Sequence, residues 1–237
     1  MPIHQLKLIR RREVASNTIE FIFNKPDNLN FIPGQYAGFT LIQPKETDAG
    51  GITRRFSLSS IPDDDFIAIT LRIQNSAYKR TLNNFAVGDE IKFAGPTGNF
   101  LLHEDINTPA VLIAGGIGIT PFYSMIRHAT KHQSSRKIIL FYGNQGTEET
   151  AYLDELLQLQ NENPNFVFIP TMAMPNPAWQ GETGFISDNM IKKYVKDLHS
   201  PIYYVCGSPV MVTALQETLA EMGINEDNIE VEDFPGY

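Results

Sequence analysis

Two patterns of apolar and polar positions divide the chain. Up to about Phe100, short runs of alternating apolar and polar residues are separated by turn-forming residues, which is typical of antiparallel strands in a barrel or sandwich. After Leu101 the apolar runs are continuous, and segments of helical periodicity separate them, which is typical of a parallel sheet covered by helices. We therefore predict an N-terminal antiparallel β-barrel over residues 1–105 and a C-terminal α/β domain with a five-stranded parallel, Rossmann-like sheet over residues 106–237.

The first half contains six predicted strands and one short helix. The strands are Leu6–Arg12, Thr18–Asn24, Tyr36–Gln43, Arg54–Ser59, Phe66–Ile73 and Glu90–Ala94, and the helix is Lys79–Ala86.

In the second half, strands alternate with helices. Predicted strands begin at Val111, Ile138, Phe166, Ile202 and Ile229, and predicted helices are Glu148–Gln160 with Thr147 as cap, Asp188–Leu198 and Pro209–Met222. Met172–Gly184, which is rich in proline and glycine, is expected to be a long connection without an element of its own.

The run that begins at Val111 ends in a glycine turn. Gly115, Gly116 and Gly118 follow the apolar residues, Thr120 is a candidate helix cap, and Pro121 suits a first helical turn. A strand, a glycine turn and a helix N-terminus present free backbone N–H groups and a positive dipole end to an anion such as a diphosphate. By itself the pattern is equally compatible with a tight turn that binds nothing, because Pro121 replaces the third glycine of the common dinucleotide fingerprint.

Two further stretches suggest chemistry. In the strand around Arg54, side-chain alternation places Arg54 and Phe56 on one face and Ser57 on the other, which suits a phosphate and a flat ring, although an exposed arginine beside a core phenylalanine is the commoner arrangement. Cys206 ends another apolar run before Gly207 and a capped helix, so it is expected at the same rim of the sheet as the glycine turn. A lone cysteine is otherwise an apolar filler of the core.

Composition narrows the class of protein. The 237 residues carry a net charge of −8, which argues against a nucleic-acid or anionic-membrane binder. No apolar run is long enough to cross a bilayer and no leader is recognised, so a cytoplasmic location is expected. The single cysteine excludes an intrachain disulfide and a four-cysteine iron–sulfur cluster, and no metal ligands are assigned.

The three stretches, in this order, resemble the ferredoxin–NADP reductase family, and the resemblance spans nearly the whole chain. The family's flavin motif falls on Arg54, Phe56 and Ser57, its diphosphate motif on residues 115–121, and its cysteine–glycine motif on residues 206–211. The resemblance implies that Arg54 pairs with a flavin phosphate, Phe56 lies against the isoalloxazine, Ser57 bonds near the hydride-accepting position and Cys206 lies beside the nicotinamide. It further implies cofactor contacts for Leu58, Thr70, Leu71, Arg72, Lys79, Arg80, Thr81, Gly115, Gly116, Gly118, Thr120, Pro121, Asn144, Gly207, Ser208, Pro209 and Met211.

The resemblance also implies the activity and the cofactors. We expect an enzyme that binds FAD rather than FMN, takes hydride from NADH or NADPH, and passes electrons to a separate acceptor such as a ferredoxin, flavodoxin or oxygenase. Some family members cover the flavin with a terminal aromatic residue, a role expected here for Tyr237 with Phe234 as the alternative. Residues 143–146 lack a cation for a 2′-phosphate and Glu148 and Glu149 would repel one, so NADH is favoured. The alternative from another class is a non-catalytic FAD- and nucleotide-sensing or partner-binding module.

Overall fold

The computed structural model describes residues 2–234, and their strands form one antiparallel and one parallel sheet. This confirms the expected fold class, with six strands rather than five in the parallel sheet. Between residues 2 and 234 no helix is both long and apolar enough to cross a membrane. The antiparallel strands are β1 (Ile3–Ala15), β2 (Thr18–Asn24), β3 (Tyr36–Leu41), β4 (Thr53–Ser57), β5 (Phe66–Arg72) and β6 (Glu90–Thr97).

The antiparallel sheet closes into a barrel-like structure. Its strand order is β4-β3-β6-β1-β2-β5, and the outer strands meet where Leu58 bridges Ile69 and the Ser59 N–H donates to the Ala68 carbonyl at 2.9 Å. Alternate side chains of the strands point inward and form an aromatic-rich core. Fully buried aromatic residues of this core are Phe21, Phe23, Phe39, Tyr78 and Phe93.

The parallel sheet has the order β10-β9-β8-β7-β11-β12. The chain starts at the central strand β7, adds strands on one side, and then returns to add β11 and β12 on the other, so the order reverses between β7 and β11. In open α/β sheets such a reversal opens a crevice at the carboxyl ends of the strands. The strands are β7 (Ala110–Gly115), β8 (Ile138–Asn144), β9 (Phe166–Met172), β10 (Glu182–Thr183), β11 (Ile202–Gly207) and β12 (Ile229–Asp233).

Five α-helices accompany the strands in the part of the chain described. Their bounds are α1 (Ala77–Asn83), α2 (Ile119–Lys131), α3 (Leu153–Glu162), α4 (Asp188–Tyr194) and α5 (Pro209–Glu221). The expected long connection 172–184 contains the two-residue edge strand β10, which pairs with β9.

The starts of α1 and α3 are two of those that differ from the prediction. Helix α1 begins two residues earlier than expected because Ser76 accepts a hydrogen bond from the Lys79 N–H and caps it. Helix α3 begins at Leu153, and Thr147 lies in a separate 3₁₀ turn. The break occurs at Tyr152, whose left-handed backbone (φ 61°) turns its ring into the core to stack on Tyr123, with ring centroids 3.8 Å apart.

The barrel and the parallel sheet are joined by buried polar contacts. The Tyr152 hydroxyl donates to Glu20 of β2 at 2.8 Å and shares a hydrogen bond with Thr70 of β5. The Ser124 hydroxyl of α2 donates to the Ser60 carbonyl at 2.6 Å. Hydrogen bonds between buried groups are directional, so these contacts fix the barrel against the parallel-sheet half of the molecule.

Candidate functional site

The glycine turn connects β7 to α2 through a 3₁₀ turn, Gly116–Gly118. Gly116 has φ +52°, a conformation that side chains rarely allow, and a Cβ built there would lie 3.8 Å from the Arg72 guanidinium. Thr120 was expected to cap the helix, but it lies inside it and its hydroxyl donates to the Ile117 carbonyl at 3.1 Å. The first turn thus keeps backbone N–H groups without helical partners at its N-terminal end.

Gly118 is required for a different reason, namely a close approach of two backbone segments. A Cβ at this position would overlap the Cys206 carbonyl oxygen and would lie 2.6 Å from the Cys206 carbonyl carbon and 2.8 Å from the Gly207 nitrogen. The glycine turn and the cysteine–glycine motif are therefore in direct contact across the β7–β11 reversal, which agrees with their expected position at one rim of the sheet. Since the obstructing atoms are backbone, only glycine allows this contact.

A cleft of about 610 Å³ opens at this end of the sheet. Arg72 reaches it from the barrel and is the only cationic residue among those described along its walls. Phe185 and Val210 at the cleft are more than four-fifths exposed, which gives the cleft an apolar rim. Predicted residues that line the cleft are Arg72, Gly115, Gly116, Asn144, Ser208 and Met211.

Cys206 lies fully buried at the end of β11. It pairs in register with Ala114 on one side and with Glu232 of β12 on the other. Burial, reinforced by the Glu232 and Asp233 carboxyls, raises the pKa of the thiol well above its ordinary value. A neutral thiol is a poor nucleophile, so Cys206 is unsuited to covalent chemistry, and it packs in the core behind the residues that line the cleft.

Glu232 is a residue that the sequence analysis did not assign. Burial and the adjacent Asp233 raise the pKa of its carboxyl to about 7, and its Oε2 is buried without a hydrogen-bond partner. Glu232 could have been predicted only from its position beside Cys206, and that position is known only after the pairing of β11 with β12 is known. A carboxyl with this pKa can hold or release a proton near neutral pH.

On the barrel, β4 carries the expected flavin motif. Opposite residues of β3 and β4 share a face, and Arg54 and Phe56 pair with Phe39 and Ala37, so both turn toward the barrel interior. The Arg54 guanidinium lies over the Tyr78 ring at 5.2 Å, and the Phe56 ring lies 5.9 Å from that ring. Ser57, on the opposite face as expected, is buried, and its hydroxyl has no hydrogen-bond partner.

The loop before β4 already engages Arg54. Asp48 accepts from Arg54 at 3.1 Å and from the Ala77 N–H of α1 at 2.8 Å. These contacts lower the pKa of the Asp48 carboxyl, the Ala77 hydrogen bond being the largest cause. Asp48 therefore orders both Arg54 and the start of α1.

Leu58, which follows β4, and residues 70–72 of β5 were expected to contact the cofactor, and they offer different groups for it. Leu58 and Leu71 are buried in the barrel core, so only their backbone can contact a cofactor. Thr70 is also buried, and its hydroxyl is used in hydrogen bonds with Ser59 at 3.2 Å and with Tyr152. Arg72 donates to the Glu149 carbonyl at 3.3 Å, while its Nε is buried without a partner.

Helix α1 adds cations to the same region. Burial, together with the charges of Arg54 and Arg72, lowers the pKa of Lys79. Mutual repulsion of this kind is relieved by an anion bound between the cations. Arg80, in contrast, is exposed and paired with Glu46 at 3.0 Å, and Thr81 is half-buried.

The orphaned buried polar atoms test whether the residues fit the implied cofactors. Among residues 2–234, five buried side-chain nitrogen or oxygen atoms lack a hydrogen-bond partner, and every one lies at the predicted sites or beside Cys206. Buried polar groups are normally satisfied, so their concentration here indicates a binding region for polar ligands. The atoms are Ser57 Oγ, Arg72 Nε, Asn144 Nδ2 and Oδ1, and Glu232 Oε2.

Some predicted residues are not brought to the cleft wall. Gly207 ends β11 and Pro209 begins α5, and neither lines the cleft. Pro121 is buried in the first turn of α2. Tyr237 lies outside the described residues. Its alternative, Phe234, packs partly buried against the core cluster that contains Cys206, and its N–H donates to the Gly207 carbonyl at 3.0 Å.

A barrel joined to a parallel sheet with a glycine-rich cleft defines the class: a two-domain, dinucleotide-binding architecture. Residues 112–217 match the family model of the oxidoreductase NAD-binding domain. The chain has the two-domain fold of ferredoxin–NADP reductase-like proteins, which confirms the resemblance described above.

Curated relatives come from a sodium-translocating system. The F component of the Na(+)-translocating NADH-quinone reductase of Haemophilus influenzae is 35% identical over 205 residues, which are 78% of this chain and 49% of that protein. The corresponding component of the Methylococcus capsulatus reductase is 31% identical over 201 residues, which are 77% of this chain and 49% of that protein. The chain thus spans about half the length of the curated relatives it matches.

Solved structures share the fold. The Amycolatopsis reductase GcoB superposes with a TM-score of 0.83 at 25% identity, covering 98% of this chain and 70% of that one. A ferredoxin NADP+ reductase from Neisseria gonorrhoeae with bound FAD and NADP has a TM-score of 0.83 at 22% identity and covers 98% of both chains.

Proposed function

We propose that this protein is an FAD-dependent oxidoreductase that accepts hydride from NAD(P)H and passes electrons to a separate acceptor. The observation that carries the proposal is the concentration of unpartnered buried polar atoms at the expected flavin and nucleotide sites and beside Cys206. The match of residues 112–217 to the NAD-binding domain and the reductase relatives support it. Bound FAD would supply the hydride-accepting ring and the ability to release electrons one at a time.

The chain's own residues hold and orient the two nucleotides. Arg54, Arg72 and Lys79 would neutralise the flavin diphosphate, with backbone groups of residues 70–72 beside it. The unpartnered Ser57 hydroxyl would donate to the hydride-accepting edge of the ring, and Phe56 would contact the ring or its chain.

On the sheet side, the N–H groups at Gly116–Gly118 would bind the nicotinamide nucleotide's diphosphate. Asn144, whose amide has both polar atoms buried and unpartnered, would bond the nucleotide from the end of β8. Cys206 would pack beside the nicotinamide, and Glu232 would hold a proton close to it. Aligning two flat rings in this way is the protein's main contribution to hydride transfer.

We propose NADH as the preferred donor. Asn144 and Gln145 line the cleft near the end of β8, where a cation would be needed for a 2′-phosphate, and neither residue carries a charge. The measurement is the ratio of kcat/KM for NADH and NADPH. A higher kcat/KM for NADPH would contradict this proposal without affecting the proposed hydride transfer.

The acceptor is proposed to be a separate redox protein or small molecule, such as a ferredoxin, flavodoxin, oxygenase or quinone. The relatives named as NADH-quinone reductase components and the ferredoxin NADP+ reductase fold support this class of acceptor. Steady-state assays with ferricyanide, a quinone and a ferredoxin, each with NADH as donor, would rank the candidates.

The decisive experiment for hydride transfer is an anaerobic titration. Purified protein should show an oxidised flavin absorption band, and chromatography after denaturation should release FAD. Adding NADH without oxygen should bleach that band. A protein that retains FAD and binds NADH without bleaching would instead be a sensing module, and a colourless protein that FAD does not reconstitute would refute the flavin site.

A further inference from the structure

A cluster of metal-ligating side chains lies away from the nucleotide cleft, at the far end of α2. His128 and His132 are one helical turn apart, and both rings face Asp63 in the loop between β4 and β5. Since Asp63 belongs to the barrel and α2 packs on the parallel sheet, the cluster bridges the two halves of the molecule. The proposed oxidoreductase function uses none of these residues.

The geometry suits a small transition-metal ion. His132 Nε2 lies 3.1 Å from both Asp63 carboxylate oxygens, His128 Nε2 lies 3.8 Å from Oδ2, and the three ligand atoms are all within 4.8 Å of one another. Zinc–ligand distances of about 2.0–2.1 Å in a tetrahedron require ligand atoms about 3.3 Å apart. Rotations of the half-buried His128 imidazole and the exposed His132 imidazole would close the remaining difference.

The carboxylate is held in place by its neighbour. Asp64 forms a two-pronged ion pair with Arg127 of α2, at 2.8 and 3.0 Å, and accepts a hydrogen bond from the Ile61 N–H at 2.9 Å. Together with the Ser124–Ser60 hydrogen bond, these contacts fix the loop along the same face of α2. Asp63 is therefore presented to the histidines by a rigid support, as a metal ligand requires.

Local electrostatics also favour a cation. The cluster sits at the C-terminal end of α2, where the helix dipole is negative and the last carbonyl groups lack helical partners. Lys131 opposes the ion because its Nζ lies 3.8 Å from Asp63, but its long, half-exposed side chain can turn into solvent.

We propose that Asp63, His128 and His132 form a zinc-binding site that joins the barrel to the nucleotide-binding half, with water as the fourth ligand. Histidine and carboxylate ligands with one open position are typical of zinc. Because the ligands come from both halves, a bound ion holds the two halves together. The ligands converge only in the folded protein, so zinc binding stabilises the folded state relative to the unfolded chain.

The test is calorimetric titration of the chelator-stripped full-length chain with zinc chloride. We expect one zinc ion per chain in the wild type, and binding at least tenfold weaker in His128→Ala, His132→Ala and Asp63→Asn. Lys131→Ala should bind zinc more tightly because a competing charge is removed. His199→Ala, which removes an exposed histidine outside the cluster, is the matched control and should bind like the wild type.

Thermal unfolding provides a second readout. Saturating zinc should raise the Tm of the wild type and of His199→Ala, and should leave that of His132→Ala unchanged. His132 is half exposed, so its truncation is expected to leave the fold intact, and His128→Gln serves as a second ligand-deficient variant if circular dichroism shows otherwise. Absence of zinc binding by the wild type, or undiminished binding by the ligand variants, would overturn the proposal.

Discussion

The two halves of the molecule differ in the groups that they offer for nucleotide binding. In the parallel-sheet half, an open cleft of about 610 Å³ is shaped largely by backbone at Gly116 and Gly118. In the barrel, the expected flavin contacts are side chains that already touch one another, with Arg54 on Tyr78 and bonded to Asp48. Recognition by backbone tolerates little substitution, whereas recognition by side chains can be lost one contact at a time.

The largest effect on activity, a loss of NADH-dependent flavin reduction, is expected from Gly118→Val in the sheet half. The added atoms would overlap the backbone of Cys206 and Gly207, which cannot move without displacing β11. We expect the free energy of unfolding to fall by about 2 to 3 kcal/mol and NADH-dependent flavin reduction to be lost while FAD is retained. Denaturant titration and the anaerobic assay measure the two effects.

Gly38→Ala in the barrel is the control, because its Cβ would meet its neighbours at an ordinary 3.6 Å or more. A Gly118→Val protein that is as stable and as readily reduced by NADH as Gly38→Ala would show that the β7–β11 contact does not shape the nucleotide site.

Glu232→Gln should change how stability depends on pH. The folded carboxyl has a pKa of about 7 against an ordinary value of 4.5, so between these pH values the folded protein holds a proton that the unfolded chain has released. The free energy of unfolding therefore falls as the pH rises through this window, by on the order of 3 kcal/mol, and is level above it.

The amide of the variant cannot titrate, so Glu232→Gln should lose this slope and exceed the wild type in stability at pH 8. Denaturant titrations of both proteins at pH 5, 6, 7 and 8 would test the difference. Parallel pH profiles for the two proteins would place the titrating group elsewhere.

The same contrast explains which features the sequence could predict. The glycine turn and the cysteine–glycine motif are local, so the spacing of Gly115, Gly116, Gly118 and Cys206 was sufficient to place them at one rim of the sheet. Helix starts were less predictable, because Tyr152 adopts a left-handed conformation to bury its ring, a tertiary effect without a local signal.

Side-chain networks were beyond sequence reasoning for a related reason. Asp48 reaches Arg54 and α1 only after the preceding loop has folded back, and Glu232 meets Cys206 only through strand pairing. The Asp63–His132 contact likewise depends on docking of the barrel against α2. Such contacts depend on how distant segments of the chain are brought together. The resemblance predicted the fold, but it did not predict which of these residues meet.

In the barrel half, Arg54→Ala should weaken FAD binding with little effect on the nucleotide cleft. A charge-assisted hydrogen bond to a phosphate contributes about 1.5 to 3 kcal/mol, which corresponds to roughly 10- to 100-fold in FAD affinity. Fluorescence titration of the apoprotein with FAD measures the loss. Arg55→Ala is the matched control because Arg55 is exposed on the opposite face of β4, and an equal loss in both variants would indicate a general charge effect.

The smallest effect is expected from Ser57→Ala, and it separates binding from alignment. The Ser57 hydroxyl is buried without a partner, so its removal should raise the free energy of unfolding of the apoprotein by about 1 kcal/mol. Ser59 is equally buried but accepts a hydrogen bond from Thr70 at 3.2 Å, so Ser59→Ala should lower that free energy by a similar amount.

If Ser57 donates to the reacting edge of the flavin, Ser57→Ala should also slow flavin reduction by NADH about tenfold while FAD remains bound, an effect of about 1.4 kcal/mol on the barrier. Stopped-flow reduction of the FAD-loaded variant would show this, and an unchanged rate would mean that ring alignment is supplied by the sheet half alone.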